Sequence, residues 1–156
     1  PAARSRDFTI LNASNSTAVS GIGDDVFKMH LQAGDVIQLR QPEIHQPLSA
    51  FQGKKILAAA GIGNPQRFFT MLSAQGIDFK AMPLADHYAF TPEIFHNEEA
   101  EIILITEKDA VKCRQIAGLR DDPRIWLVPV AAELEAEFKH QLLKLISEKK
   151  YGCTSA

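Results

Sequence analysis

The sequence predicts an α/β fold: a Rossmann-like, mostly parallel sheet with flanking helices, preceded by a small β-ribbon and a linker. Three observations carry this. From Lys54 onward, short apolar runs alternate with stretches of helical periodicity, the pattern of consecutive βα units joined by right-handed crossovers. Each apolar run gives way to a polar turn or a helix start. Two of those starts, Asn64-Pro65 and Thr91-Pro92, place proline directly after a capping side chain, where its missing N–H is harmless.

Taken in order, Phe8-Thr9-Ile10-Leu11 is a short apolar strand, and the Ser/Asn/Gly-rich stretch from Asn12 to Gly23 is a loop. Val26 to Leu31 and Val36 to Leu39 flank Ala33-Gly34-Asp35 and are expected to pair as a hairpin, after which Pro42 and Pro47 mark a linker. The first strand of the sheet is Lys55 to Ala60. It ends at Gly61-Ile62-Gly63, and the following helix presents Phe68, Phe69 and Leu72 on one face until Gly76 stops it. A second strand covers Asp78 to Met82, Asp86-His87-Tyr88 form a loop, and Thr91-Pro92-Glu93 opens a short helix. Glu101 to Ile105 is the most apolar strand, as expected for one buried on both faces, and Thr106-Glu107-Lys108-Asp109 starts a helix with a capping-box-like arrangement. A further strand runs from Ile125 to Val130, with Pro129 near its end. From Glu133 to about Lys150, Leu134, Phe138, Leu142 and Leu145 recur at helical spacing, with acidic residues first and lysines last, as the helix dipole favours. The expected layout is a ribbon and linker over 1–52 and the α/β domain over 53–156.

Composition bounds the function classes. The 156 residues, 46% of them hydrophobic, amount to about one soluble domain able to bury a core without staples. A net charge of -2 with no basic block gives no reason to expect nucleic acid. Cys113 and Cys153 lie far apart without a CxxC, which argues for a reducing compartment and against a disulfide framework or a zinc site; Cys113 is read as a packed helix residue. No apolar run approaches bilayer length, and Pro1 to Arg6 lack the apolar core of a signal peptide, so the chain is expected to be cytosolic. It opens on proline, not methionine, and is expected to be a piece of a longer protein.

Three runs carry the chemistry, each at a strand-to-turn junction where an open α/β sheet holds ligands. In Ala60-Gly61-Ile62-Gly63-Asn64-Pro65-Gln66-Arg67, side-chain-free glycines let backbone N–H groups approach an anion, and Arg67 adds a cation in the first helical turn, against the dipole. The bland reading is a tight turn before a capped helix with a solvated arginine. No third glycine completes the dinucleotide fingerprint, and no GxxxxGK[ST] occurs. Asp86-His87 invites an acid-base reading, in which a carboxylate fixes the imidazole tautomer while the other nitrogen moves a proton; the alternative is a histidine that closes a turn. His30, His45, His96 and His140 show no metal-ligand spacing, so no metal is expected. Thr106-Glu107-Lys108-Asp109 can offer Lys108 to a phosphate and Glu107 or Asp109 to a hydroxyl or cation, or be an ordinary charged helix start; Lys112 reads as surface.

In this order and spacing, the AGIGNPQRFF, aspartate-histidine-aromatic and ITEKDAVKC runs, with the closing Val128-Pro129-Val130, resemble the C-terminal domain of the tetraacyldisaccharide 4'-kinase family, the lipid A 4'-kinases of Gram-negative bacteria. The resemblance covers about Asp7 to the last helix. It implies transfer of the ATP γ-phosphoryl group to the 4'-hydroxyl of a tetraacyldisaccharide 1-phosphate at the cytoplasmic face of the inner membrane, chemistry that is mostly positioning and charge neutralisation around phosphate and Mg²⁺. It also implies that the P-loop, the Mg²⁺ ligands and a catalytic aspartate belong to an N-terminal domain, which would bind ATP and make most of any peripheral membrane contact. The histidine of the aspartate-histidine loop, here His87 beside Asp86, would pair with that aspartate to activate the sugar hydroxyl. The family loop more often reads Asp-His-His, and Tyr88 stands third here. Without a Walker A sequence the chain alone is expected to be inactive. The competing readings are a stand-alone module that holds a nucleotide or sugar phosphate through Gly61 to Arg67 without chemistry, and a structural remnant.

Overall fold

The computed structural model describes residues 8–12 and 26–151. The polar loop expected up to Gly23 lies outside these residues except for Asn12, as does Cys153. The strands are β1 (Thr9–Asn12), β2 (Val26–Ala33), β3 (Val36–Gln38), β4 (His45–Gln46), β5 (Ile56–Ala60), β6 (Lys80–Pro83), β7 (Ile102–Thr106), β8 (Ile125–Val128) and β9 (Val130–Leu134). The α-helices are α1 (Pro65–Ala74), α2 (Glu107–Cys113), α3 (Ala117–Arg120) and α4 (Ala136–Tyr151), and two short 3₁₀ turns cover Leu48–Phe51 and Pro92–Phe95.

The chain divides into two compact units, one built from residues 1–32 and 132–156 and the other from 33–131. The segment expected over 1–52 is thus shared between them. In the first unit, β1 pairs parallel with β2, and β2 lies between β1 and β9. Phe8, Phe27 and Phe138 pack edge to face, with ring centroids 5.1 to 5.7 Å apart.

The larger unit is a six-stranded sheet in the order β4-β3-β8-β7-β5-β6. β6, β5, β7 and β8 run parallel, and β3 joins β8 antiparallel. Alternate side chains of each strand enter opposite layers, as the pleat requires. Ile56, Ala58, Ala60, Leu104 and Trp126 pack under α1 with Phe68, Phe69 and Leu72. Leu57, Ala59, Ile103, Ile105 and Leu127 pack on the other face with Phe90, Phe95, Ala110, Cys113 and Leu119. The mixed α/β sheet with helices on both faces is therefore as expected. The chain leaves β5 for β6 on one side and later returns to β7 on the other, so the strand order reverses between β5 and β7. Their carboxyl ends form the crevice in which such sheets hold ligands.

Two expectations fail, for one reason. β2 and β3 do not form a hairpin: β2 joins β1 and β9, whereas β3 pairs with β4 and β8. The last helix starts at Ala136, because Val130 to Leu134 extends beside β2 as a strand. In both places long-range pairing overrides a local signal. Glu135 then links the segments, with its Oε2 accepting the Lys28 N–H at 3.1 Å.

Candidate active site at the strand-order switch

The turn after β5 approaches α2 closely at Gly61. The Gly61 N–H donates to Asp109 Oδ2 at 2.9 Å, and the Thr106 hydroxyl donates to the same oxygen at 2.7 Å. Thr106 caps α2 through its Oγ1, which accepts the Asp109 N–H at 3.2 Å, so the helix start expected from the sequence is observed. A Cβ on Gly61 would lie 3.1 Å from Asp109 Oδ1 and 3.3 Å from Tyr88 Cβ; only glycine leaves that gap. The Gly61 amide expected to face an anion is therefore occupied from within. Asp109, expected to offer itself to a hydroxyl or cation, is 0% exposed and serves the chain's own turn. Glu107 is likewise engaged, accepting the Val130 N–H at 3.2 Å.

The loop between β6 and the Pro92 turn folds back over this junction. The Leu84 N–H donates to the Ala60 carbonyl at 2.9 Å, and the Tyr88 N–H closes a tight turn on the Ala85 carbonyl at 3.0 Å. His87 occupies that turn with φ +59°, the one non-glycine residue in the left-handed region among the described residues. Asp86 Oδ1 accepts the His87 backbone N–H at 3.0 Å and lies 3.4 Å from Lys108 Nζ. The His87 ring does not hydrogen-bond to Asp86: Nε2 stands 3.7 Å from Oδ2, and the side chain is 77% exposed. Asp86 thus fixes the histidine's backbone, not its tautomer. The partial loss of water around Asp86 pushes its carboxyl up, but the Lys108 hydrogen bond, the charges of His87 and Lys108, and the His87 N–H together hold it below the usual carboxylate range.

The glycine turn and the α2 start meet the histidine loop at one edge. A Cβ on Gly63 would stand 3.5 Å from Asp86 Oδ2, and Lys108 reaches Asp86 from α2. Asn64 and Arg67 begin α1 at the same strand end; both are exposed, the Asn64 side chain makes no cap bond, and the first turn of α1 carries no acidic residue. Lys112, read from the sequence as surface, is instead half-buried and lies 3.6 Å from Asp109 Oδ1 and 3.4 Å from the Tyr88 carbonyl. At the opposite, amino ends of β5 to β7 lies an open recess of about 690 Å³, where Lys80 pairs with Glu98 at 2.8 Å and Lys55 with Glu99 at 3.6 Å.

Among the described residues there is no group of three His, Cys, Asp or Glu side chains that could hold a metal ion, and the sequence contains no GxxxxGK[ST] run. No described helix is long and apolar enough to cross a membrane.

The sequence profile of the family described as Tetraacyldisaccharide-1-P 4'-kinase matches residues 2–147. A tetraacyldisaccharide 4'-kinase of Herminiimonas arsenicoxydans is 43% identical over 92% of this chain and 44% of its own length. One from Janthinobacterium sp. (strain Marseille) is 44% identical over 92% of this chain and 43% of its own. The chain therefore spans less than half the length of these relatives. Among solved structures, the ATP complex of LpxK from Aquifex aeolicus superposes with a TM-score of 0.59 at 23% identity, over 89% of this chain and 42% of that one, and supports the fold.

Proposed function

Since the chain belongs to the tetraacyldisaccharide-1-P 4'-kinase family, we propose that it is the C-terminal part of such a kinase and supplies the acceptor side of the phosphoryl-transfer site. The observation that carries this reading is the convergence of the Gly61–Gly63 turn, the Asp86-His87-Tyr88 loop and Lys108 at the carboxyl ends of β5 and β7. The relatives act on a tetraacyldisaccharide, and the corresponding acceptor here is the 4'-hydroxyl of tetraacyldisaccharide 1-phosphate, with ATP as donor.

In this reading His87 takes the proton of the 4'-hydroxyl as the oxygen attacks the γ-phosphorus. The imidazole is suited to that step because it is exposed, donates no hydrogen bond to Asp86, and offers a ring nitrogen that can take a proton as a general base. Asp86 holds the His87 backbone and is held in turn by Lys108. Gly63, Asn64 and Arg67 are the groups left open to phosphate oxygens, Lys108 adds a cation beside them while it holds Asp86, and Gly61, Thr106, Glu107 and Asp109 keep the loops in place. The P-loop, the Mg²⁺ site and the aspartate partner of His87 would come from the N-terminal part that the relatives' greater length provides. That part would also make the main peripheral contact with the inner membrane, at its cytoplasmic face.

The test is ATP-dependent phosphorylation of the disaccharide acceptor by the protein extended N-terminally to the length of its relatives, beside the same assay on residues 1–156. Product from the extended protein alone is expected. Product from neither, with the extended protein folded, would overturn the reading and favour a module that binds phosphate without chemistry.

A further inference from the structure

Two residues of α2, Asp109 and Lys112, take no part in the proton and phosphate handling above, yet they meet directly behind the histidine loop. Asp109 Oδ2 is engaged by the Gly61 amide at 2.9 Å and the Thr106 hydroxyl at 2.7 Å. Oδ1 is buried and accepts no hydrogen bond among the described residues; its nearest cation is Lys112 Nζ, at 3.6 Å. A carboxylate withdrawn from water demands such a charge, which explains an ammonium at this depth. Neutralisation does not explain the amine's other contacts. Lys112 Nζ also lies 3.4 Å from the Tyr88 carbonyl and 5.6 Å from the centre of the Phe90 ring. One ammonium therefore ties α2 to the backbone immediately after His87. Asp109 ties α2 to Gly61, where the turn passes within 3.3 Å of Tyr88 Cβ for any added methyl.

We propose that Asp109 and Lys112 are positioning residues, a paired latch that fastens the glycine turn and the Tyr88 carbonyl to α2 and so sets the direction in which His87 presents its imidazole. The need for a latch is local. His87 sits at φ +59°, a conformation that persists in a non-glycine residue only when its surroundings hold it, and its exposed ring makes no hydrogen bond to Asp86, which stands 3.7 Å away. This inference rests on the reading of His87 as the residue that acts on the acceptor hydroxyl.

Lys112→Met keeps the aliphatic stem against Phe90 and removes the ammonium. In amide and histidine-ring NMR spectra of residues 1–156, it is expected to displace the signals of Asp86 to Phe90 and of the His87 ring. Lys112→Arg, which keeps the charge and the donor, is expected to restore them. In the extended protein, Lys112→Met is expected to lower kcat roughly tenfold, about 1.4 kcal/mol of barrier, with acceptor KM nearly unchanged. It is expected to lower kcat no further in a His87→Ala background, because the latch acts through the histidine. Unmoved loop signals, or losses that simply add in the double variant, would overturn the latch. Should Lys112→Met fail to fold, Asp109→Asn is expected to displace the same signals, and a loop spectrum like that of the unaltered chain overturns it equally. If His87→Ala leaves turnover intact while Lys112→Met moves the loop, the function reading fails and only the mechanical part of the latch survives.

Discussion

The turn after β5 is governed by space at a single residue. A methyl group on Gly61 would press on a buried carboxylate oxygen at 3.1 Å and on Tyr88 Cβ at 3.3 Å, neither of which lies at the end of a free side chain. Gly61→Ala is expected to lower stability by about 1 to 3 kcal/mol in urea or thermal unfolding, and Gly63→Ala, with 3.5 Å to the exposed Asp86 carboxylate, by much less. Cys113 offers a pH test. Burial, helped by the Asp109 charge, pushes its thiol up to about 12 from a usual 9.0. Above the usual value the unfolded chain has lost this proton while the folded chain keeps it, so stability is expected to fall as pH rises from 9.0 toward 12. Urea midpoints measured across that range should decline, and decline less in Cys113→Ala. Asp86 works in the opposite sense: its lowered pKa means that whatever stability its pairing with Lys108 adds is present above the ordinary carboxylate range and is lost on acidification. At this scale the sequence was informative where a local geometry decides. The Thr106 cap and the Gly76 stop, at φ +74°, follow from residue type alone. The burial of Asp109 and the inward turn of Lys112 were not legible, because each depends on a loop twenty or more residues away in sequence.

Among the elements, β5 and β7 form the spine on which the site stands. Ala58, Ala59 and Ala60 are fully buried, Ala58 and Ala60 in the layer under α1 and Ala59 in the layer with Phe90 and Phe95. Leu104, 0% exposed at the centre of β7, is expected to cost about 2 to 5 kcal/mol when replaced by alanine, measurable as a lower urea midpoint with unchanged slope. These strands and α1 were legible because continuous apolar runs and a 3.6-residue stripe report burial directly. β9 was not. Val130-Ala131-Ala132-Glu133-Leu134 is rich in helix formers, and only its place beside β2, from the far end of the sequence, makes it a strand. The same competition dissolves the hairpin expected of β2 and β3, since Val36 gains complete burial in the larger sheet.

Taken whole, the larger unit is a doubly wound sheet whose strand order reverses between β5 and β7, and the motif-bearing loops gather at that reversal. The family assignment and the fold were both legible, since the three runs and the βα alternation are local in sequence. What each motif residue touches was not, because the loops converge only in three dimensions. The division into units shows the same limit: residues 132–156 join the opening segment, a pairing that no composition shift announces. The central claim is that His87 is the acceptor-activating residue of a kinase of which this chain is one part. The most direct measurement compares single-turnover phosphorylation of the disaccharide acceptor by the N-terminally extended protein and by its His87→Ala variant, with ATP binding followed in parallel. A fall in rate of roughly a hundredfold or more, as expected when a general base is removed, with ATP affinity retained, is the predicted result. Turnover left unchanged by His87→Ala would contradict the account.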